Sequence, residues 1–446
     1  MKGMTPAPAV GISTSERRNG SRICIVTSAP ISCNPRVVKE ADALANAGYK
    51  VRVVASQHTN WVAGWDSALM AKRTWKLNAV RWDHQGFKAK YIRTATGIQQ
   101  RAFNAVARSL TFRIGVAERA YCRLYKQLLK LACQEPADLY IAHNPQALPV
   151  ACLAAERLGA AVAFDSEDYH YGEFPTAEQM SLAARLLTYL EAKYLPRCRY
   201  VTAPSNAISK ALVERYCIRP PLAIHNVFPW SERLDLDGQI KDRRGPALSL
   251  YWYSQVIGLN RGIQDCIRAV SLLAAPVQIH LRGNISEPVR RELLQLAEAY
   301  SVRDRFFLHP PVPPSELLSR AAEHDVGLAL EQPVCVNRLL TVTNKLFFYM
   351  LAGVAIAATD TVGQRAVMHT CPGAGFLYPP GDYQALAGEL QKLIDSPDLL
   401  REQKAAALRA AQHRWNWEVE RRILIEAVAS ILNHPKQKEV VTFGSF

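Results

Sequence analysis

The sequence predicts an α/β protein built from two parallel-sheet domains. Three observations carry that expectation. The chain has 446 residues, too many for one ordinary domain. Short apolar runs alternate with segments of helical period along almost its whole length. The alternation stops once, at a polar stretch punctuated by Pro and Gly, and then restarts.

After a leader over 1–21, the run ICIVT at 23–27 reads as a buried strand. The turn-rich SAPISCNP follows, then a helix from about 36 to 47 with Val37, Ala41, Leu44 and Ala45 on one face. Gly48 stops it, and 51–55 is the next strand. Strand, helix, strand in this order implies a parallel pair with a right-handed crossover. Further strands are expected at 139–142, 161–164, 200–203 and 222–225. The stretch 228–246 reads as a linker between a first domain over 22–227 and a second over 247–410. In the second domain, strands are expected at 248–253, 277–281, 306–308, 326–330, 354–357 and 375–378. Residues 411–434 read as a crossover helix packing back on the first domain, and 435–446 as a tail. Such sheets bind ligands at the carboxyl ends of their strands, so two facing domains place a site in the cleft between them.

Composition narrows the class. A hydrophobic content of 49% excludes a disordered chain, and a mean hydropathy of −0.08 argues against a polytopic membrane protein. The N-terminal stretch lacks a continuous apolar core and is read as a leader rather than a signal peptide. Ten Cys occur, none in CxxC and none at zinc-ligand spacing, so reduced thiols in a cytoplasmic protein are expected. The net charge of +15 is uneven. Residues 1–230 hold 30 Lys/Arg against 16 Asp/Glu, and residues 231–446 hold 24 against 23. The stretch 72–130 alone has 14 basic residues against Asp83 and Glu118. Such a field suits an anionic partner, a membrane surface or an acidic glycan. Nucleic acid is not expected, because no recognised binding module accompanies the charge.

Residues 99–130 read as one helix, with Phe103, Val106, Leu110, Ile114, Ala117, Tyr121, Leu124 and Leu128 in an apolar stripe. Two readings stand: an interfacial helix on anionic lipid, or a core-packed helix with a solvated basic back. Trp61, Trp65, Trp75 and Trp82 nearby would be interfacial or stack on a sugar or its carrier.

Two turns of the second domain carry chemistry. The first strand runs into Ser254, Gln255, Gly258, Asn260, Arg261 and Gly262 and then a helix. Backbone N–H groups at a helix N-terminus favour an anion, and Arg261 adds a guanidinium suited to phosphate. The pattern is neither GxGxxG nor a Walker loop, so a dinucleotide or P-loop reading loses support. In the second turn a strand ends at Glu331 and a helix begins near Thr343 and Asn344, where side chains can cap it. Lys345 in the first helical turn opposes the helix dipole, and makes better sense beside a docked anion.

The segment NKLFFYMLAG at 344–353 resembles the NKLFEY-x-x-AG stretch of GT-B glycosyltransferases of the large retaining family 4. TSAPISCNPRVVKEADALANAGYKVRVVA is similar to that family's opening strand, loop and R-x-x-x-E-A helix. AHNPQALPVACLAA, FDSEDYHYGEF and TAPSNAISKALVERY with Asn226 resemble later motifs in the family's order, over roughly 22–430. The resemblance implies two Rossmann-like domains, a nucleotide-diphospho-sugar in the second, and a glycan or lipid-linked acceptor in the first. It assigns Arg261 to the diphosphate, with Lys345 or Arg282 assisting, and His143 to the donor sugar. Ser254, Gln255, Gly258, Asn260, Gly262, Gly283, Glu331, Thr343 and Asn344 complete the expected donor side. Ser28, Asn34, Arg36 and Asn144 would line the acceptor side. Asp165, Glu167 and Asp168 would bind sugar hydroxyls or cap the following segment. No DxD-like motif is placed for a metal, so no metal or other cofactor is expected.

The chain also departs from the family pattern. Phe348 stands where the family usually has the Glu that grips ribose, Gln255 where it often has Arg, and Glu167 where it has the His of D-x-H-E. Glu331 is a candidate for the ribose role. The expected activity is transfer of a sugar, with retention, in envelope or polysaccharide synthesis. The expected place is the cytoplasm, with peripheral attachment at the inner membrane face. A catalytically weak or inactive sugar-binding scaffold and a nucleotide-sugar epimerase are the rival readings.

Overall fold

The computed structural model describes residues 20–433 apart from Thr59. The expected tail and all but the last two residues of the expected leader lie outside that range. The first domain holds seven strands: β1 (Arg22–Thr27), β2 (Lys50–Gln57), β3 (Lys76–Arg81), β4 (Leu139–His143), β5 (Ala161–Asp165), β6 (Val201–Ala203) and β7 (Leu222–Ala223). They pair in parallel in the order β3-β2-β1-β4-β5-β6-β7. The second holds β8 (Leu248–Val256), β9 (Val277–Asn284), β10 (Phe306–His309), β11 (Val326–Ala329), β12 (Ala355–Thr359) and β13 (Gly375–Tyr378), parallel in the order β10-β9-β8-β11-β12-β13. The one strand not expected is β3, a half-exposed edge strand of mixed polarity, KLNAVR, whose apolar signal is weak.

Helices cover both faces of each sheet, as parallel sheets require. In the first domain they are α1 (Pro35–Asn46), α2 (Asn60–Met70), α3 (Phe87–Ser109), α4 (Val116–Tyr121), α5 (Tyr125–Ala132), α6 (Leu148–Leu158), α7 (Leu182–Tyr194) and α8 (Asn206–Tyr216). In the second they are α9 (Ile263–Ser271), α10 (Glu287–Ala299), α11 (Pro314–Ala322), α12 (Val336–Leu340), α13 (Asn344–Ala352), α14 (Val362–Met368), α15 (Tyr383–Asp395), α16 (Pro397–His413) and α17 (Trp417–Asn433). Helix α1 shows how local sequence sets an element. The Asn34 carboxamide accepts from the Val37 N–H at 3.2 Å, Pro35 opens the first turn, and Val37, Ala41 and Leu44 bury one face. As expected, α17 returns to the first domain: its Leu424, Val428 and Leu432 share one apolar cluster with those α1 residues.

Two expectations are corrected. The helix expected over 99–130 is three helices: Ile114 and Gly115 both adopt left-handed backbone and separate α3 from α4, and extended Cys122 ends α4 before α5. Ala117, Leu124 and Leu128 of its stripe are buried, and Phe103, Val106 and Tyr121 pack against the same core. Only Leu110 and Ile114 of that stripe are strongly exposed. The expected linker is also not free. The Glu323 carboxylate accepts from the backbone N–H of Lys241 (2.9 Å) and Asp242 (2.7 Å), and Arg320 holds Asp237, so 236–243 is fastened to the second domain. The joint is the shorter stretch before it, where Glu420 and Glu418 of α17 take the backbone N–H of His225 and Trp230.

Candidate functional site

The carboxyl ends of β8 and β11 and the N-terminal turn of α13 build the part of the candidate site that lies in the second domain. At the end of β8 the register with β9 slips between Tyr253 and Val256. Gly283 of β9 lies so close that a Cβ there would sit 2.2 Å from the Ser254 carbonyl oxygen. The chain then turns through Gly258, where a Cβ would meet open space, to Gly262, which is left-handed and packed on the Leu330 carbonyl. Helix α9 starts at the next residue, with Asn260 and Gln255 exposed on the turn.

This turn brings half-buried Arg261 into the field of Glu331 and Arg338. Glu331 is buried, and Thr359 Oγ1 pins its carbonyl at 2.7 Å. Its carboxylate meets Arg338 Nη1 at 2.9 Å and Lys345 Nζ at 3.8 Å. Lys345 lies over the rings of Trp252 (5.2 Å) and Tyr253 (5.9 Å). Thr343 occupies the N-cap position without a side-chain cap bond, and Asn344 is exposed.

The electrostatics of this cluster are one-sided. Burial raises the Glu331 pKa, but Lys345, Arg338 and Arg261 together hold it below the ordinary carboxylate value. Burial pulls the Lys345 ammonium down; Glu331 opposes the shift, and Arg261 and Arg338 add to it. Arg261 is likewise lowered, by burial and then by Arg338, and among the described residues it makes no hydrogen bond or ion pair. Three cations face one carboxylate, a net of +2. A diphosphate diester carries about two negative charges.

Arg282, expected to assist, is used elsewhere. It is buried, donates to the Pro310 carbonyl at 2.6 Å and pairs with Asp242. That corrects the expectation for this residue: its charge is neutralised behind the sheet by the segment that precedes β8.

The part in the first domain centres on a buried charge network at the carboxyl ends of β4 and β5. His143 has no exposed surface, and its two ring nitrogens meet Glu167 Oε1 at 2.9 Å and Glu40 Oε2 at 2.8 Å. Burial would lower its pKa, but Glu40 and Glu167 outweigh burial and raise it to about 10. A direct contact of this ring with a sugar is therefore not available in this arrangement. Arg36 binds Asp165 through Nε at 2.8 and 2.9 Å and donates to the Ile224 carbonyl, so both of these expected acceptor residues are buried against each other. Asn34 caps α1 and donates to Glu167 Oε1 at 2.6 Å. Ser28 lies 2.9 Å from the side-chain oxygens of both Asn144 and Gln146. Asn144 and Glu167 both have positive φ, 62° and 57°, side by side at the sheet edge. Non-Gly residues held there cost about 1–3 kcal/mol each and cluster at functional sites.

Among the described residues, the group with metal-ligand spacing is Glu40, His143 and Asp165. The Arg36 guanidinium already occupies Asp165, and both His143 nitrogens are engaged, so this donor set is built around resident cations rather than an ion.

Asp168, also expected on the acceptor side, joins the two domains instead. Its Oδ1 accepts from Asn337 Nδ2 at 3.0 Å, and the Tyr169 N–H donates to Asn337 Oδ1 at 2.9 Å. Ser205 adds a bond to the Leu340 carbonyl at 2.8 Å. Helix α12 thus offers Asn337 to the first domain and the adjacent Arg338 to Glu331 of the second. Phe348 points into the core against Tyr253 (4.7 Å) and Phe228 (5.1 Å), leaving no polar group at that position. The sequence reading gave no role to Glu40, Asn337 or Arg338. Glu40 is the Glu of the R-x-x-x-E-A helix, four residues after Arg36 on one helix face.

Fold and site together define a two-domain GT-B protein with a cationic cluster at the strand ends of its second domain. Residues 33–226 match the family model described as "Glycosyl transferase 4-like domain". No curated protein sequence matches the chain. Among solved structures, HepE from Anabaena in complex with UDP is 15% identical, with a TM-score of 0.63 over 92% of this chain and 100% of that one. Sucrose-phosphate synthase from Thermosynechococcus elongatus is 14% identical, with a TM-score of 0.63 over 93% and 99%. The lipopolysaccharide outer core galactosyltransferase WaaB, in its apo form, is 13% identical, with a TM-score of 0.58 over 92% and 99%. The chain has the GT-B fold of these proteins, and the family match lies within its first domain.

Proposed function

We propose that the protein is a glycosyltransferase that moves a sugar from a nucleotide-diphospho-sugar to a glycan or lipid-linked acceptor. One observation carries the reading: the net +2 cluster of Arg261, Lys345, Arg338 and Glu331 at two helix-opening turns. HepE, solved with UDP and with UDP-glucose, supports a donor of this class. As the sugar leaves, the diphosphate gains negative charge, and cations fixed beforehand stabilise that state more than the ground state. Arg261 is free for this task. Arg338 and Lys345 become free as the diphosphate displaces the Glu331 carboxylate, which then faces the ribose hydroxyls. On the acceptor side the Glu167 carboxylate, positioned by His143 and Asn34, receives a sugar hydroxyl. Retention of configuration and a role in envelope or polysaccharide synthesis follow from the family resemblance. The basic 72–130 region would hold the protein at an anionic membrane where such acceptors reside.

The test is release of nucleoside diphosphate from a panel of nucleotide-sugars in the presence of envelope lipid and glycan extract. Release matched by sugar incorporation supports the reading. A second reading, a sugar-binding scaffold without turnover, is favoured by Phe348 filling the position of a ribose-holding acid. Donor binding without release would establish it. An epimerised donor would point to the remaining rival.

A further inference from the structure

Helix α3 packs Ile92, Phe103 and Val106 on the core and carries a second apolar line facing away from it. Its buried residues, Ala89, Thr96 and Ala107, form one narrow line. Phe87, Tyr91 and Ile98 lie on the opposite side, within an arc of about 40° at 100° per residue, and are 89%, 65% and 63% exposed. Lys88, Lys90, Arg101 and Arg108 flank this apolar line and are exposed too. Where α3 ends, the turn into α4 presents Leu110 and Ile114, 80% and 92% exposed, beside exposed Arg113. Ile114 has a φ of 56°. A β-branched residue in that region is strained, and its side chain here is almost wholly exposed. Arg119 fixes the strained turn from below, donating to the Gly115 carbonyl at 3.0 Å. The same Arg119 opens a groove of about 520 Å³ with Tyr125, Lys126, Lys130 and Arg157, and no carboxylate lines it.

From this geometry we infer that α3 and the α3–α4 turn form a docking surface for an anionic lipid bilayer. Phe87, Tyr91, Ile98, Leu110 and Ile114 enter the interface, and the flanking cations and the groove take lipid phosphates. The occupant follows from charge complementarity: exposed apolar side chains ringed by cations suit an acyl boundary under anionic headgroups. No helix among the described residues is long and apolar enough to cross a membrane, so the contact is peripheral. Helix α3 starts just after β3, at the carboxyl end of the sheet's edge strand. The surface deepens the membrane part of the proposed function and relies on that reading only for the purpose of the docking. It also replaces the residues expected from sequence, since most of the earlier stripe is core.

Flotation with vesicles of phosphatidylglycerol and phosphatidylcholine in equal parts, against phosphatidylcholine alone, tests it on the full chain. The native protein should float with the anionic vesicles only, and high salt should release it. Ile114→Asn removes the apolar side chain and suits the left-handed backbone. It should keep or raise the melting temperature while weakening vesicle partition about tenfold or more in combination with Ile98→Ser. Lys126→Glu with Lys130→Glu should weaken partition and its salt dependence. No flotation, equal flotation with neutral vesicles, or unchanged partition of a folded Ile98→Ser, Ile114→Asn variant would overturn the inference. So would release by duplex DNA that binds native protein and this variant alike, assigning the charge to nucleic acid. Donor turnover is measured on the same samples with a soluble acceptor. Flotation without turnover would keep the surface and refute the glycosyltransferase reading; turnover without flotation would do the reverse.

Discussion

Arg261→Ala separates ligand binding from fold stability more cleanly than any other change in the site. In the free protein the guanidinium has no partner among the described residues, and it stands in the field of Arg338 with burial also against it. Removing it leaves no orphaned carboxylate and relieves like-charge repulsion. The melting temperature without ligand should therefore stay the same or rise slightly. The loss appears only when the donor binds. A charge-assisted hydrogen bond to phosphate contributes about 1.5–3 kcal/mol, or about 10- to 150-fold in affinity. Turnover should fall further, because the bond strengthens as the diphosphate departs; removal of one such stabilising donor costs about 100- to 1,000-fold. Calorimetric titration with the nucleotide-sugar that gives turnover, beside thermal melting of the free variant, reads both quantities. Unchanged donor affinity in a folded Arg261→Ala protein would refute the assignment. A fall in melting temperature by several degrees would show that the residue is structural.

Further perturbations follow from the geometry. Phe348→Glu removes ring contacts with Tyr253 and Phe228 and buries a carboxylate. It should cost about 3–5 kcal/mol in denaturant unfolding, and a variant as stable as native with tighter nucleotide binding would show that the position opens on ribose instead. Asn337→Ala removes the bonds to Asp168 and Tyr169, so hydrogen exchange should rise together in 166–172 and 336–341; protection unchanged in both would contradict the domain latch. Buried histidines give stability opposing pH dependences on the two sides of pH 6.5. Burial and neighbouring imidazoles lower His280 to about 3 and His324 to about 2, so below pH 6.5 the unfolded chain takes protons that the fold refuses. His143, raised to about 10, keeps above pH 6.5 a proton that the unfolded chain loses, so its contribution fades as pH rises toward 10. Denaturation midpoints across that range check both limbs: His143→Gln should flatten the alkaline one, and an alkaline limb identical in that variant would count against the Glu40–His143–Glu167 clamp.

Twelve of the thirteen strands were legible because buried parallel strands read as short apolar runs, a signal local to each segment. β3 was not, because an edge strand half in water carries polar residues at the same positions. The two helix-opening turns of the second domain were legible for the same local reason: a strand, a turn and a helix start are contiguous in sequence. The network around His143 was not, because it joins α1, β4 and β5 across more than a hundred residues, and period alone does not say that Arg36 and Asp165 neutralise each other. Asp168 looked like part of an acidic cluster, and only the packing of α12 shows its partner to be Asn337. Arg282 was drawn to the site by its place at a strand end, while its charge is spent on Asp242, a residue of the stretch taken for a linker. The 99–130 segment misled because its period of apolar residues is real but faces inward once the chain breaks at Ile114 and Gly115.

Hydrogen exchange of the full chain with and without nucleotide-diphospho-sugar tests the central claim most directly. Bound donor should slow exchange at 257–263 and 343–347, the two turns proposed to hold the diphosphate, and the effect should vanish in Arg261→Ala. Protection confined to other segments, or equal protection in the variant, would contradict the account.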